Sequence, residues 1–491
     1  MMSDMMAGMA TALVPSNLLA CIIGVTLGNL IGVLPGLGPL AAMSILLPLT
    51  YGMDPGAALM MMGGIWYGAA YGGAITAILI NIPGTAMASV TAIDGFPMTQ
   101  AGRPGPALLL AALGSFFGGI FGIVATMIAV PVLSVHMPIL SPAESAALLI
   151  VCLLAGASVG GAGLARGAMM VSLGAMAGIV GSDPMSGDAR LTFGLVALED
   201  GISLSALVIG LFGLSEIIQR VGKPHVVLKK APTRLAEMRL NKAERTALWG
   251  ASLRGGGIGA VLGLLPGLGP TLASYLAYSV EQRRGTKGLG QGAPEGIVSP
   301  EAANNASDQT SFIPTLLLGV PGSGAMAIIL VVLMIHGLNP GPAFLADNGP
   351  LFWSLIGSFW VGNVVLLILN VPLIRIWTTL LRIPPAVLYP ATLVLMCVGT
   401  VATGQVSDLF VLAAAGVVAA VLQGAGLPLP PVLLGYILGP ILEGHLIRAA
   451  LIARGDPAWL LVNPGALAIL LAGLLIALVF RKRGQGLTKD A

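Results

Sequence analysis

Side chains whose oxygens suit a cation are concentrated in one polar run of this otherwise apolar chain, residues 301–310. The run contains Asn304, Asn305 and Asp308, and in a helix Asn304 and Asp308 share a face because they are four residues apart. An acidic residue within a membrane-embedded segment is costly and is usually functional. These three residues are therefore a candidate cation-coupling site. The alternative is that the acidic residues of the run lie in the lipid headgroup region.

Four interruptions of apolar helices have the chemistry to bind an anion. The run Pro-Gly-Leu-Gly-Pro at Pro35–Pro39 returns unchanged at Pro266–Pro270, and further breaks occur at Asn81–Thr85 and Val320–Gly324. Proline removes an amide donor and glycine has a high entropic cost, so these runs do not continue a helix. The helix that starts after each break has free amides and a partial positive charge that favour an anion. The candidate substrate-binding residues are Pro35, Gly36, Gly38, Asn81, Gly84, Thr85, Gly267, Gly269, Gly322 and Ser323.

Binding at these breaks is expected to be weak and reversible. Neither Lys nor Arg lies near them, so helix dipoles and the hydroxyls of Thr85 and Ser323 would hold the anion. Carbonyl oxygens that are not used in helical hydrogen bonds, such as those of residues 267–269, are free to coordinate a cation. The alternative is that the breaks are packing kinks, because Gly and Pro are frequent in membrane helices.

The composition indicates a membrane protein. Of 491 residues, 56% are hydrophobic and 9% are charged, and the mean hydropathy is +0.95. A soluble domain carries about 25% charged residues. Apolar runs of about 18 to 25 residues recur, which is the length of a membrane-spanning helix and not of a barrel strand. The sequence therefore predicts an all-α polytopic protein in a lipid bilayer.

The chain contains two copies of one unit. Gly32, before the first Pro-Gly-Leu-Gly-Pro run, corresponds to Gly263 before the second, and Pro83 corresponds to Pro321. A period of about 240 residues built from membrane spans is typical of a duplicated transporter half. We predict a first transmembrane repeat at 1–219, a basic cytoplasmic linker at 220–249, a second repeat at 250–461, and a terminal helix with a cytoplasmic tail at 462–491.

The two repeats have the same order of elements. Arms at 17–33 and 40–50 flank the first Pro-Gly run, and arms at 255–265 and 271–280 flank the second. Each arm is short for a bilayer core of about 30 Å, so a re-entrant hairpin is predicted in each repeat. A discontinuous helix follows each hairpin. Further spans of the first repeat are predicted at 106–130, 142–160, 165–180 and 201–218, so that each repeat crosses the membrane five times, and a final helix is predicted at 464–480.

The positive charges predict that the two repeats have inverted topology. Lys and Arg favour cytoplasmic loops, and Arg103 marks such a loop in the first repeat. The equivalent loop of the second repeat holds Asp347 instead, whereas Arg375 marks a loop whose first-repeat counterpart has no Lys or Arg. This arrangement places the N-terminus in the periplasm and the C-terminus in the cytoplasm. Three arginines fall on the outer side and argue against it, namely Arg190, Arg448 and Arg454.

Several kinds of chemistry are not expected. Cys21, Cys152 and Cys397 are isolated in apolar runs, so the sequence predicts neither a disulfide framework nor a transition-metal site. The GxxxxGK[ST] nucleotide loop, the HExxH zinc helix and the GxSxG nucleophile elbow do not occur. We therefore predict a protein that is not an enzyme, with no nucleic-acid partner and no cofactor other than a sodium ion for coupling.

The motifs resemble those of a known family. They are similar to the large membrane subunit, TctA, of the bacterial tripartite tricarboxylate transporters, over nearly the whole chain. The resemblance is carried by Gly32–Pro39, Tyr71–Thr76 leading to Asn81–Thr85, Asp94–Pro97, and Glu301–Ala306 leading to Gly319–Ser323. It implies secondary uptake of carboxylates such as citrate across the inner membrane, coupled to a cation gradient. It also implies two partners, a small TctB-like membrane subunit and a TctC-like periplasmic solute-binding protein.

The leading hypothesis is thus a translocation subunit for carboxylate and cation symport. The alternatives are an anion channel or exchanger that works without a binding protein, and a membrane scaffold that transports nothing. A scaffold does not need two matched pairs of helix breaks. A channel would conduct without a soluble partner.

Overall fold

The apolar runs of the sequence form helices in the computed structural model of the chain. The structure describes residues 2–34, 39–81, 85, 87–136, 141–157, 163–182, 188–221, 235–265, 269–341, 343–380, 385–403, 405–454 and 463–474. Strands within these ranges are limited to an antiparallel pair, β1 (Gly181–Ser182) and β2 (Ala189–Arg190), with Gly181 opposite Arg190. The prediction of an all-α protein is confirmed.

Helices of 4 to 33 residues account for most of the described chain. In chain order they are α1 (Met2–Ala12), α2 (Pro15–Val33), α3 (Pro39–Leu46), α4 (Pro55–Ile80), α5 (Ala88–Gln100), α6 (Pro104–His136), α7 (Pro142–Ala157), α8 (Leu164–Gly178), α9 (Leu204–Val208), α10 (Ser215–Arg220), α11 (Lys242–Gly263), α12 (Gly269–Arg283), α13 (Pro294–Thr310), α14 (Phe312–Leu318), α15 (Gly324–Ile335), α16 (Phe344–Asp347), α17 (Gly349–Asn370), α18 (Ile374–Leu380), α19 (Pro385–Thr403), α20 (Asp408–Gly424), α21 (Pro430–Ile452) and α22 (Pro464–Leu474). A π turn at Ile209–Leu214 joins α9 to α10. Single 3₁₀ turns occupy Leu47–Thr50, Val196–Leu198 and Leu235–Met238.

Five of the described helices are long and apolar enough to cross a membrane, namely α2, α4, α6, α17 and α21. Shorter apolar helices, including α7, α8, α15 and α20, accompany them. Five crossing-length helices in one chain make this a multi-pass membrane protein.

The chain folds into two compact units. Unit 1 comprises residues 1–136 and 203–421, and unit 2 comprises residues 137–202 and 422–491. Each unit thus contains residues from both predicted repeats, and the predicted division of the sequence at 219, 249 and 461 stays a prediction. Residues 222–234 of the predicted linker and residues 475–491 of the predicted terminal segment lie outside the described residues.

The first arm of each predicted hairpin is longer than the sequence suggested. Helix α2 has 19 residues and α11 has 22, whereas the arms were expected at 17–33 and 255–265. The difference is largest for α11, which starts within the predicted linker. There Asn241 and Glu244 form a capping box, in which each side chain accepts a hydrogen bond from the other residue's backbone N–H.

Both discontinuous helices break at equivalent positions. Helix α4 starts at an N-cap formed by Asp54, whose carboxylate accepts from Gly56 N at 3.0 Å, and ends at Asn81. Asn81 has the left-handed conformation (φ 55°), and so does Gly319 (φ 70°), which ends α14. Asn81 directly precedes the run Ile-Pro-Gly in the sequence, and Gly319 directly precedes the run Val-Pro-Gly. The predicted interruptions at Asn81 and after Gly319 are confirmed.

Glycines at four-residue spacing bring the long helices of unit 1 into close contact. Gly24, Gly28 and Gly32 of α2 face the backbone of Met61, Ile65 and Ala69 in α4. In the second repeat, Gly255, Gly259 and Gly263 of α11 face Ser299, Ala303 and Ser307 of α13 in the same way. The glycines and their partners stand in matching places of the two sequence copies, so the same packing occurs twice.

The two repeats also pack reciprocally inside unit 1. Helix α6 of the first repeat lies against α13 of the second, and α17 of the second lies against α4 of the first. In the same way α5 packs on α13, and α15 packs on α4. The discontinuous helices of the two repeats are thus each covered by elements of the other.

Unit 2 is built around α7, α8, α21 and α22. Helix α7 starts at a capping box, in which Ser141 N donates to Glu144 Oε2 at 2.7 Å. Helices α8 and α21 approach closely through Gly174 and Gly435. Arg190 forms an ion pair with Glu443 at 2.8 Å.

The glycine packing gives a first prediction, which concerns stability. A Cβ at Gly259 would lie 2.0 Å from the backbone oxygen of Ala303, so we expect Gly259→Ala to lower the free energy of unfolding by about 1 to 3 kcal/mol. Gly257, on the same helix, has no atom within 4 Å of such a Cβ. Gly257→Ala should stabilise the helix by up to about 1 kcal/mol. Thermal unfolding of the two variants in detergent measures both effects, and equal shifts would contradict the packing.

Candidate functional site

The polar helix α13 lies in the interior of unit 1. Every residue from Gly296 to Thr310 is buried, and the side chains of Glu301 and Asp308 are only 1% and 0% exposed. Helices α5, α6, α11 and α12 surround α13. The acidic residues of the polar run are therefore enclosed by protein and are not solvent-exposed charges at a helix end.

The N-terminal end of α13 is held by a carboxylate from another helix. Asp94 of α5 accepts hydrogen bonds from the backbone N–H groups of Gly292 and Ala293 at 2.9 and 2.8 Å, just before α13 starts at Pro294. Its other oxygen accepts from the hydroxyl of Tyr278 at 3.0 Å. A negative charge at this end complements the helix dipole. Asp94, which belongs to one of the recognisable sequence motifs, thus has a positioning role.

Small residues allow the surrounding backbones to approach α13. A Cβ at Gly118 of α6 would lie 2.3 Å from the backbone oxygen of Ala302. One at Gly296, in the first turn of α13, would lie 2.0 Å from Asp94 Oδ2. The polar side chains of α13 are therefore enclosed by helix backbones at close range.

Each carboxylate oxygen of Glu301 accepts one hydrogen bond from a side chain of another helix. Thr91 Oγ1 of α5 donates to Oε1 at 2.5 Å, and Ser115 Oγ of α6 donates to Oε2 at 2.8 Å. Its backbone oxygen accepts from Nδ2 of Asn305 at 3.0 Å. Asn305, one of the three predicted cation ligands, thus donates its side-chain N–H to the backbone of α13 itself.

Asp308 differs from Glu301 because neither of its carboxylate oxygens has a hydrogen-bond partner among the described residues. The same holds for Oδ1 of Asn304, one turn earlier, and for Oγ of Ser307. From α4, the indole of Trp66 approaches the carboxylate without the geometry of a hydrogen bond, and the buried hydroxyl of Tyr67 lies near it. Carboxylate, amide and hydroxyl oxygens in this state are ligands for a hard cation.

An aromatic cluster bounds this polar group. The rings of Tyr67, Phe312 and Phe359 lie with their centroids 5.0 to 6.2 Å apart. They come from α4, α14 and α17, and Phe312 follows Asp308 by one helical turn. The cluster excludes water from this side of the carboxylate, which strengthens electrostatic interactions there.

The second break adjoins the far end of α13. A Cβ at Gly322 would lie 3.5 Å from Cβ of Ser311, and one at Gly269 would lie 3.4 Å from the backbone oxygen of Gly322. Ser323 caps α15, because its Oγ accepts from Met326 N at 3.3 Å. The structure thus brings Gly269, Gly322 and Ser323 together, at the end of the helix that carries Asp308.

The first break has the same local design. Thr85 Oγ1 accepts from Ala88 N at 3.0 Å, so it caps α5 as Ser323 caps α15. In a cap of this kind the hydroxyl oxygen accepts a hydrogen bond through a lone pair, so the hydroxyl proton stays available for donation. Among the predicted substrate-binding residues, Pro35, Gly36, Gly38, Gly84 and Gly267 lie outside the described residues.

Comparison with known proteins assigns the family. The model of the tripartite tricarboxylate transporter TctA family matches residues 18–434. The chain belongs to the TctA family. It is 40% identical, over 98% of its length and 96% of the relative's, to an uncharacterized 52.8 kDa protein in the TAR-I ttuC' 3' region of Agrobacterium vitis. It is also 42% identical, over 47% of its length and all of the relative's, to an uncharacterized protein in the TAR-II ttuC' 3' region of the same organism. No solved structure matches.

Family membership makes this chain a tricarboxylate transporter subunit. The sequence resemblance is confirmed by the family match. In the described part of this TctA-family chain, no three His, Cys, Asp or Glu side chains are grouped so that they could hold a metal ion. The polar groups of α13 and the two helix breaks remain its candidate functional features.

Sequence reasoning missed the residues of other helices that face the acidic groups. Thr91 and Ser115 hold Glu301, and Trp66 and Tyr67 approach Asp308. Each is a single polar or amphipathic residue in an apolar run. These residues are far from α13 in the sequence, so the sequence does not indicate that they contact it.

The anchoring of α13 in this TctA-family chain gives a second prediction. Asp94→Ala removes the acceptor of the N–H groups of Gly292 and Ala293 and of the Tyr278 hydroxyl, so we expect a loss of about 2 to 4 kcal/mol in unfolding free energy. Tyr278→Phe removes one of these bonds together with its donor and should cost about 1 kcal/mol. Thermal unfolding in detergent compares the two. A tolerated Asp94→Ala would show that the carboxylate does not hold α13.

Proposed function

We propose that this chain is the translocation subunit of a binding-protein-dependent secondary transporter. It imports tricarboxylates or related organic acids and is coupled to a gradient of sodium ions or protons. The observation that carries this proposal is the buried carboxylate of Asp308. Its oxygens are unpaired among the described residues, and it lies on the helix that ends beside the break at Gly322. A charge in this position is expensive unless a cation binds there.

The proposed cation site consists of Asp308 and Asn304, with Asn305 as a further candidate. Asn304 Oδ1 and both oxygens of Asp308 supply neutral and charged acceptors one helical turn apart. The carbonyls of residues 267–269 belong to the same proposal; a Cβ at Gly269 would lie 3.4 Å from the backbone oxygen of Gly322, while residues 267 and 268 lie outside the described residues. Binding of the cation would remove the cost of an unpaired buried charge.

The proposed anion site consists of the helix breaks. Thr85 and Ser323 cap helices that start at the breaks, so free amides, a positive dipole and two hydroxyl protons are available there. The candidates outside the described residues, Pro35, Gly36, Gly38, Gly84 and Gly267, belong to the same proposal. Proximity of Gly322 to the end of α13 would let cation and anion support each other's binding.

The family supports the remaining parts of the proposal. A tripartite system implies a small TctB-like membrane subunit and a periplasmic solute-binding protein. We place the chain in the bacterial inner membrane, with inverted repeats, a periplasmic N-terminus and a cytoplasmic C-terminus. The reciprocal packing of α6 on α13 and of α17 on α4 is the pattern that a two-fold axis between the repeats produces, and the positive charges of the loops are what favours inversion.

A third prediction tests dependence on the binding protein. We expect proteoliposomes that contain the chain and its small membrane subunit to take up citrate or a related acid only when a periplasmic binding protein is added. Uptake should also require an imposed sodium or proton gradient. Equal flux without the soluble protein would favour a channel or exchanger. Absence of any flux with several carboxylates and the complete partner set would favour a scaffold.

A fourth prediction tests the inverted repeats. Gln100 and Asp347 are exposed and follow the two discontinuous helices at equivalent places. In a chain without Cys21, Cys152 and Cys397, we expect Gln100→Cys to react with an impermeant thiol reagent from the cytoplasm and Asp347→Cys from the periplasm. Reaction of both from the same side would contradict inverted topology.

A further inference from the structure

Helix α12, the return arm of the second predicted hairpin, is buried on only one of its sides. Beyond the first two residues of the helix, its buried residues are Ala273, Ser274, Ala277, Tyr278 and Glu281. At 3.6 residues per turn these five lie on one half of the helix, which packs on α11 and α13. The residues of the other half are partly or fully exposed. Their chemistry therefore indicates what this half contacts in the membrane.

The exposed half of α12 has two stripes of different polarity. One consists of polar residues that succeed one another at helical spacing, namely Thr271, Tyr275, Ser279 and Gln282. We call these four residues the polar stripe. The other consists of the apolar residues Leu272, Leu276 and Val280. An apolar side chain is stable against lipid, whereas a polar one there loses its hydrogen bonds with water. The polar stripe therefore favours a water-filled space.

Helix α5 of the first repeat lies on the side of the polar stripe. The hydroxyls of Ser89 and Tyr275 are hydrogen-bonded at 3.0 Å, and about one turn further along both helices Tyr278 donates to Asp94. Tyr275 is 46% exposed in spite of its bond. Leu276, by contrast, packs against the apolar cluster of α11, α12 and α13. The polar stripe thus forms one wall of a cleft between α12 and α5.

The inner end of this cleft lies at two helix breaks. Ser89 follows Thr85, the residue that caps α5, by four positions, which is about one helical turn. Tyr275 follows Gly269, where α12 starts, by six positions. The pair of hydroxyls therefore stands just beyond two of the breaks that the proposed function assigns to the anion, one from each repeat.

The outer end of the cleft lies at a basic loop. Arg283, Arg284 and Lys287 follow the polar stripe directly and are exposed. Their positive charge predicts that this loop is cytoplasmic. Hydroxyl and amide groups donate to carboxylates, and cations attract them. The cleft thus suits an anion with several carboxylates that passes from the breaks to the cytoplasm.

The equivalent elements of the other half are closed. In the sequence repeat, Ser44 of α3 corresponds to Tyr275, and Ala327 of α15 corresponds to Ser89. Both are 0% exposed, α3 packs on α15, and the Ser44 hydroxyl donates to the backbone oxygen of Leu40 in its own helix. The predicted topology places this pair toward the periplasm. A transporter with inverted repeats that is open to the cytoplasm has this asymmetry.

We propose that the polar stripe of α12 lines the cytoplasmic half of the substrate path, and that Ser89 and Tyr275 donate to the carboxylate groups of the anion as it leaves the helix breaks. The two hydroxyls bond each other in the structure and exchange this bond for carboxylate oxygens when the anion passes. This inference rests on the proposed function for the identity of the substrate. Access of water to the stripe and binding of a carboxylate there can be measured without transport.

The first test measures which stripe water reaches. Ser279→Cys and Val280→Cys are made in the full-length chain without Cys21, Cys152 and Cys397, and the chain is assembled with its small membrane subunit in inside-out membrane vesicles. The two positions differ in depth by about 1.5 Å and lie about 100° apart around the helix. A charged, impermeant thiol reagent enters water and not lipid, so we expect Ser279→Cys to react about tenfold faster.

Equal rates for the two variants would overturn the proposal, and so would reaction of Ser279→Cys from the periplasmic side alone. Reaction that occurs only when the small subunit is left out would also overturn it, because the stripe would then be a subunit interface.

The second test measures whether a carboxylate occupies the cleft. Citrate or succinate on the cytoplasmic side should slow the labelling of Ser279→Cys relative to chloride at equal ionic strength. Tyr275→Phe keeps the ring and removes the hydroxyl, so the citrate concentration that halves the labelling rate should rise about fivefold. Ser44→Ala removes the equivalent hydroxyl of the first repeat, which is bonded within its own helix, and should leave that concentration unchanged. Thermal unfolding confirms that each variant is folded.

An unchanged half-protection concentration in Tyr275→Phe would contradict the role of this hydroxyl. Uptake of citrate by proteoliposomes with the complete partner set separates this inference from the proposed function. If the chain transports citrate but neither acid protects Ser279→Cys, the polar stripe is not the path and the proposed function stands. Protection without uptake would support the anion path and count against the proposed function.

Discussion

The burial of a polar helix is the constraint on which the rest of unit 1 depends. Each polar group of α13 that leaves water must find a partner or accept a cost of about 1 to 3 kcal/mol, and an unpaired charge costs more. The surrounding helices meet this requirement with Asp94 at its start and with Thr91 and Ser115 at Glu301. Glycines of α6 and α11 bring their backbones close enough to enclose it. Several polar atoms of α13 have no hydrogen-bond partner among the described residues, and Asp308 is the acidic residue among them, which makes it the centre of the proposed function.

The two sequence copies share their glycine packing but differ in the polar residues at equivalent places. Matching glycine triplets of α2 and α11 pack on matching segments of α4 and α13, so α4 and α13 hold equivalent places in the two repeats. At the positions that Asn304, Asn305 and Asp308 occupy in α13, α4 has Trp66, Tyr67 and Ala70. Helices α4 and α13 thus pack in the same way, but α13 has side chains with oxygen atoms where α4 has two aromatic side chains that approach them.

The sequence predicted local breaks well and tertiary neighbours poorly. Asn81 and Gly319 end helices where Gly and Pro interrupt the pattern, because those residues act locally. The interior position of α13 was not predictable from its composition, since its polar residues are equally typical of a surface helix. Its partners Thr91 and Ser115 are in the other repeat, far away in the sequence, so only the fold brings them to Glu301. The start of α11 was missed because the capping box at Asn241 lies within basic sequence.

The most direct test of the central claim measures whether Asp308 binds the coupling cation. Substrate uptake by proteoliposomes with the complete partner set is recorded under imposed sodium and proton gradients for the wild type, Asp308→Asn and Asp347→Asn. The last variant makes the same chemical change at an exposed position. We expect Asp308→Asn to fold but to lose its dependence on the cation gradient, because the only formal charge of the proposed site is gone, while Asp347→Asn behaves as the wild type. Unchanged cation dependence in well-folded Asp308→Asn would contradict the account.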